Sequence, residues 1–322
     1  AMFSAPVGDD VFGEDPSVNE LERMAADLLG MEAAVYCPSG TMTNQIGISI
    51  NTRPFNEIIC YKGAHIYKYE GGGLAGNSQL SVRLIDGDRG RLSASEVLAN
   101  VNNTADPHQP ITSLVALENS VVREAGAFYT MAQMAEVTTA ARSKGLRTHL
   151  DGARLFNAFA ETGDNPAETG KHFDSVSICL SKGLGAPVGS LVLCSAENAV
   201  MARRRRKSLG GGMRQAGFLA AAGIYALQNN IARLKEDHRR ARIIGDLIKT
   251  QPWVADLMPV DTNIIIFRLV PSVTPADFLH ALAEHDVRAV QFGPDQVRMV
   301  THLDIHDNHL QVVKDAFARL HF

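Results

Sequence analysis

The sequence predicts an α/β protein whose large domain carries a mostly parallel, seven-stranded sheet between helices, followed by a small C-terminal α+β domain. Three observations carry this expectation. Short apolar, β-branched runs alternate with longer stretches of helical periodicity, the pattern of strands joined by crossover helices. Seven such runs precede residue 195. The 322 residues exceed the roughly 150 expected of one domain, and the pattern changes near residue 240. The expected division is a large domain over residues 1–240 and a small one over 241–322.

The elements follow in order. Ser17-Val18-Asn19-Glu20 reads as a capping box, with Leu21, Met24, Ala25, Leu28 and Leu29 at helical spacing behind it and Gly30 as the stop. Strands are expected at residues 34–37, 58–61, 82–85, 113–117, 147–150, 175–180 and 190–194. One long helical stretch spans about 215–249. A strand at 263–267, a helix opening on Thr274-Pro275-Ala276-Asp277, strands near 287–291 and 297–300, and a final helix complete the small domain.

Composition excludes several classes. With 45% hydrophobic and 20% charged residues, 27 Gly and 13 Pro, the chain is not collagen-like, of low complexity or mostly disordered. The formal charge of -4 gives no global attraction for nucleic acid. The run Arg203-Arg204-Arg205-Arg206-Lys207 then reads as a solvated helix face. The longest apolar run, 216–227, has 12 residues, short of the roughly 18 to 20 that span a bilayer. The start Ala1-Met2-Phe3-Ser4 lacks the charged and apolar regions of a secretion signal. Cys37, Cys60, Cys179 and Cys194 form no C-x-x-C pair and sit in apolar stretches, as expected of buried thiols in a reducing cytoplasm.

Four features at strand ends bear on chemistry, because ligands of open α/β sheets bind beyond the carboxyl ends of the strands. Pro38-Ser39-Gly40-Thr41-Met42-Thr43-Asn44 follows a strand and opens a helix, offering backbone N–H groups and hydroxyls to a phosphate. In Leu150-Asp151-Gly152-Ala153-Arg154 an apolar strand ends on a carboxylate, which alone would suit a helix cap. The strand before Ser181-Lys182-Gly183-Leu184-Gly185 delivers a lysine into a Gly-rich loop, where partial desolvation favours Schiff-base chemistry. Finally, His65 precedes Glu70 and the triplet Gly71-Gly72-Gly73, where backbone can pass close to a flat ligand under a stacked imidazole. A pyridoxal phosphate enzyme needs a lysine, a carboxylate for the pyridine nitrogen and an anion cradle, and the three occur in a fitting order.

These motifs, with Gly8-Asp9-Asp10-Val11-Phe12-Gly13-Glu14-Asp15-Pro16, Glu118-Asn119, His149-Leu150-Asp151, Gly210-Gly211-Gly212-Met213-Arg214-Gln215 and Arg298-Met299-Val300-Thr301-His302, resemble the low-specificity L-threonine aldolase (beta-eliminating lyase) family across essentially the whole chain. That family has the aspartate aminotransferase type of pyridoxal phosphate fold. The resemblance implies that Lys182 holds the cofactor, Asp151 pairs with its ring nitrogen and His65 stacks on the ring, with Lys182, His65 and Asp151 as the catalytic set. It implies a phosphate site at Ser39, Gly40 and Thr41, and a substrate carboxylate clamp at Arg154 and Arg298. Lys207 and Arg214 would reach the phosphate of a neighbouring subunit, in a homodimer or homotetramer with the active site at the subunit interface. No residue is assigned to a metal.

The implied reaction is retro-aldol cleavage of a β-hydroxy-α-amino acid to glycine and an aldehyde in the cytoplasm, with no nucleic-acid or membrane partner. Transaldol transfer, racemisation, β-elimination, or cofactor binding with little turnover are the alternatives. Two departures from the family pattern stand out. Many members carry histidine two residues after the Glu-Asn pair, where this chain has Val121, so an apolar surface near the substrate's β-substituent is expected. Only seven residues precede Gly8, so an N-terminal segment that helps bind the carboxylate is expected to be missing.

Overall fold

The apolar runs of the first two hundred residues form seven strands: β1 (Ala33–Cys37), β2 (Glu57–Tyr61), β3 (Ser81–Ile85), β4 (Thr112–Glu118), β5 (Arg147–Gly152), β6 (Ser175–Cys179) and β7 (Ser190–Cys194). They pair in one sheet of order β1-β7-β6-β5-β4-β2-β3. The run from β3 through β2, β4 and β5 to β6 is parallel, so the carboxyl ends of these strands share one edge. β7 is antiparallel to both β6 and β1. The link from β6 to β7, residues 180–189, is too short for a crossover, which needs about a dozen residues or more.

The computed structural model describes residues 1–322, in two units: Ala1–Val121 with Phe128–Ile231, and Val122–Ala127 with Ala232–Phe322. The division falls at 231/232 rather than 240. The reason is that the expected stretch 215–249 is two helices, Gly217–Asn229 and Leu234–Lys249. Periodicity conceals the break, at which Asn230 Nδ2 turns back to the carbonyl of Leu184 at 2.7 Å.

The start of α1 (Pro16–Leu29) also differs from expectation. Asp15, not Ser17, is the N-cap, its Oδ1 accepting from the N–H groups of Ser17 and Val18 at 3.1 Å each. Pro16 explains the shift, since its fixed φ and missing N–H suit the first helical position and place the cap at Asp15, two residues before Ser17. Ser17 Oγ instead donates to the carbonyl of Pro6. Gly30 ends the helix in the left-handed region, φ 64°.

In the C-terminal unit, β8 (Val254–Leu257), β9 (Ile264–Leu269), β10 (Val290–Gln291) and β11 (Gln296–Val300) form an antiparallel sheet of order β10-β11-β9-β8. β8 carries no strand signal in the sequence, because its Ala255 and Asp256 are exposed at a sheet edge and show no apolar alternation. The strand expected near 287–291 contracts to two residues. Thr274 caps the helix Pro275–Ala283 as expected, and Trp253 packs against Phe267, Phe278 and Phe317 at the centre of this unit's core. Residues 122–127 join this unit because Val122 and Ala125 pack on Ile264 and Ile266. No helix in either unit is long and apolar enough to cross a membrane.

Candidate active site

The site grows from the shared carboxyl edge of the parallel strands. After β1, Ser39 caps α2 (Gly40–Ser49), its Oγ accepting from the N–H of Met42 at 3.2 Å. A Cβ on Gly40 would lie 2.5 Å from Cys179 Sγ, so glycine is what lets this turn approach the end of β6. Thr41 is exposed in the first turn, beside N–H groups that a helix start leaves free for an anion. Further along α2, Thr43 Oγ1 lies 2.6 Å from Ser177 Oγ of β6, fixing the helix over the sheet.

Strand register lines up the acidic end of the site. Glu118 of β4 pairs with Asp151 of β5, and Asp151 with Ser177 of β6. Asp151 is buried, its Oδ1 accepting from the Ala153 N–H at 3.1 Å and its Oδ2 from Asn44 Nδ2 at 2.9 Å. His65 opens a one-turn helix beyond β2, and its N–H is held by Glu118 Oε2 at 3.0 Å. Its Nδ1 meets Glu70 Oε1 at 3.0 Å. Glu70 is buried and also accepts from Asn44 Nδ2 at 2.8 Å and Gln45 Nε2 at 2.7 Å.

The Glu70 hydrogen bond holds the His65 imidazole above its ordinary pKa, with Asp151 adding to the effect while burial and the Lys182 ammonium oppose it. Asp151, Lys182 and His65 are thus within electrostatic reach of one another. The ligating atoms of His65, Glu70 and Asp151 all lie within 4.8 Å of each other. Each of the four carboxylate oxygens already accepts a hydrogen bond, so the trio is explained as a proton-holding network.

Lys182 follows β6 and is half-buried in the turn that its carbonyl closes with the Gly185 N–H at 2.9 Å. Arg154, also half-buried, stands just before the helix Leu155–Thr162. Three other expected residues are carried by other elements. Arg298 is on β11 of the C-terminal unit, its guanidinium 4.8 Å from the Phe292 ring centroid. Lys207 is exposed near the end of the helix Ala196–Ser208, and Arg214 is held by Asp9 at 2.6 Å.

The basic run is not a uniformly solvated face. Arg206 is buried, paired with Asp10 at 2.9 Å and donating to the Tyr36 carbonyl at 2.7 Å, and Arg203 pairs with Glu22. Positions three apart on a helix share a face, so Arg206 is buried against Asp10 while Arg203, still exposed, reaches the buried Glu22 from the same side. Val121, the expected apolar neighbour of the substrate's β-substituent, follows β4 by three residues. It is fully buried, and a Cβ on Gly90 would lie 2.7 Å from its Cγ1 and 3.0 Å from the Tyr61 ring, so its own unit encloses it.

The sequence pattern assigns no role to Asn44, Gln45, Glu70 or His149. The available signal was a polar Asn-Gln pair before the apolar Ile46 and Ile48 of α2, a pattern that asks for buried partners. His149 is fully buried, its Nε2 3.1 Å from Asn44 Oδ1 and its Nδ1 2.8 Å from Ser175 Oγ; burial lowers its pKa to about 4.

This donor set fits pyridoxal phosphate: a buried carboxylate with all its other partners neutral donors, a lysine at a neighbouring strand end, and an open helix start. The comparisons agree. The family model described as Beta-eliminating lyase matches residues 1–270. The chain is 40% identical over 316 residues to the low specificity L-threonine aldolase of Escherichia coli (strain K12), covering 97% of this chain and 92% of that one. It is 32% identical over 325 residues to low-specificity L-threonine aldolase 1 of Arabidopsis thaliana, covering 99% and 91%. The threonine aldolase structure from Leishmania major shares the fold at a TM-score of 0.83 and 20% identity, covering 96% of this chain and 90% of that one.

Proposed function

Because this chain belongs to the beta-eliminating lyase family and is a pyridoxal phosphate-dependent aldehyde-lyase of the threonine aldolase type, we propose how its residues divide the work of cleaving β-hydroxy-α-amino acids to glycine and an aldehyde. When bound, pyridoxal phosphate supplies a conjugated ring that accepts the electron pair released as the Cα–Cβ bond breaks. Lys182 would contribute the amine that holds the cofactor. Asp151 would pair with the ring nitrogen and keep it protonated, while the N–H groups and hydroxyls around Ser39, Gly40 and Thr41 would receive the phosphate. Arg154 takes the substrate carboxylate, a task suited to the planar, two-pronged guanidinium.

His65 would lie against the ring and accept the β-hydroxyl proton at Nε2. The observation that carries this assignment is the Glu70 contact at Nδ1, 3.0 Å. A carboxylate there fixes the tautomer and leaves Nε2 as the basic nitrogen facing away from it. Lys207 and Arg214 reach a second subunit's phosphate in a homodimer or homotetramer, and the enzyme works in the cytoplasm, a reading supported by four free, buried thiols.

The test is a panel of β-hydroxy amino acids with glycine and aldehyde both quantified. Equimolar release of the two is expected. Ammonia and a keto acid without glycine would identify a β-elimination enzyme instead.

A further inference from the structure

Behind the catalytic face lies a buried polar chain that the reaction as described does not use. Asn44 is 2% exposed, His149 and Ser175 are 0% exposed, and all three sit between α2 and the strands β5 and β6. Both carboxylates around Asn44 are acceptors, so its amide nitrogen must face Asp151 and Glu70, at 2.9 and 2.8 Å. Its Oδ1 therefore faces His149 Nε2 at 3.1 Å, and that nitrogen must carry a proton. A neutral His149 then accepts at Nδ1 from Ser175 Oγ. Ser175 Oγ also lies 3.0 Å from the Gly47 carbonyl and accepts from Asn51 Nδ2 at 2.9 Å, so the tautomer decides where its single proton goes.

We propose that Asn44 is a positioning residue for the reaction: its neutral amide ties Asp151 to the Glu70–His65 pair, and His149, donating from Nε2, fixes which way that amide faces. A neutral donor is the chemically suitable group here. A lysine or arginine at this point would hold Asp151 just as firmly while cancelling the charge that the ring nitrogen needs. An apolar residue would leave two buried carboxylates repelling one another with oxygens unsatisfied. The amide's two hydrogens separate and orient both carboxylates without cancelling either charge. A Cβ on Gly47 would lie 2.7 Å from the His149 ring, so the bare backbone there is what admits the imidazole.

This inference rests on the assignment of Asp151 to the ring nitrogen, and the experiment separates the two. ¹⁵N NMR of histidine-labelled full-length protein should find His149 as the Nε2–H tautomer; an Nδ1–H tautomer would overturn the proposal irrespective of any cofactor. In protein loaded with pyridoxal phosphate, His149→Leu removes the donor to Asn44, whereas His149→Gln can still present an N–H.

His149→Leu should change the visible absorption of the bound cofactor and lower kcat about tenfold more than His149→Gln does, with KM within about twofold, the pattern of lost orientation rather than lost binding. Asn44→Ala should reproduce the His149→Leu spectrum. Should either variant fail to fold, the tautomer measured in the wild type still decides. Equal spectra and kcat in the two His149 variants would overturn the proposal and leave the Asp151 assignment standing. A wild-type protein that takes up no pyridoxal phosphate would overturn both.

Discussion

His65 Nδ1 meets Glu70 Oε1 at 3.0 Å, a contact made within five residues of chain. Because that hydrogen bond is the largest cause of the raised His65 pKa, Glu70→Gln should lower it. As a base, His65 works when unprotonated, so the acid limb of kcat/KM lies above the ordinary histidine value in the wild type and should move to lower pH in Glu70→Gln. An acid limb that stays in place in the pH–rate profile would dissociate His65 from the proton transfer.

Lys182 gives a chemical test of cofactor attachment. The loaded protein should be yellow, and borohydride should fix the pyridoxyl group to Lys182, found by peptide mapping. A label on any other lysine refutes the assignment.

Asp151→Asn keeps shape but loses charge, and here it loses a hydrogen bond too. The wild-type carboxylate accepts from Asn44 Nδ2 at one oxygen and from the Ala153 N–H at the other, whereas an amide can accept at only one of those places. With the ring a weaker electron sink, turnover should fall at least about tenfold, roughly 1.4 kcal/mol of barrier, while the colour persists. Unchanged turnover at saturating cofactor would exclude Asp151 from this role.

What was legible in the sequence was whatever a strand carries to its own end. Asp151 and Lys182 follow apolar runs, so both the strands and their delivered side chains could be read locally, and the seven-stranded sheet follows from those same runs. Asn44 and His149 were not legible as partners because 105 residues separate them and only the packing of α2 on β5 and β6 joins them. The inward turn of Arg206 depends in the same way on Asp10, far away in sequence. The break at 230–233 was hidden because the helices on either side keep helical spacing through it.

His149 also predicts a pH dependence of stability. Its pKa is about 4 in the fold against an ordinary value of 6.5, so between these values the unfolded chain binds more protons. The neutral imidazole's contribution is then fully present above about pH 6.5 and lost as pH falls toward 4, an effect on the order of a few kcal/mol. Chemical denaturation at pH 7 and pH 5 should show a smaller loss of stability in His149→Gln, which has nothing to titrate there. Equal losses in both proteins would assign the acid sensitivity to other groups.

Val121 separates packing from specificity. At 0% exposure, and so close to Gly90 that a Cβ there would lie 2.7 Å from its Cγ1, the side chain leaves little room for an imidazole, which is larger and brings polar nitrogens into a buried position. Val121→His should therefore cost roughly 1–3 kcal/mol of stability through overpacking and unsatisfied polar atoms. The smaller Val121→Ala should also destabilise the fold, by leaving a cavity. The companion measurement is the ratio of kcat/KM for threonine to that for phenylserine, which a purely packing residue leaves unchanged in the fraction that remains folded. If Val121→His instead keeps its stability and shifts that ratio toward threonine, position 121 faces the substrate's β-carbon and the enclosure opens when substrate binds.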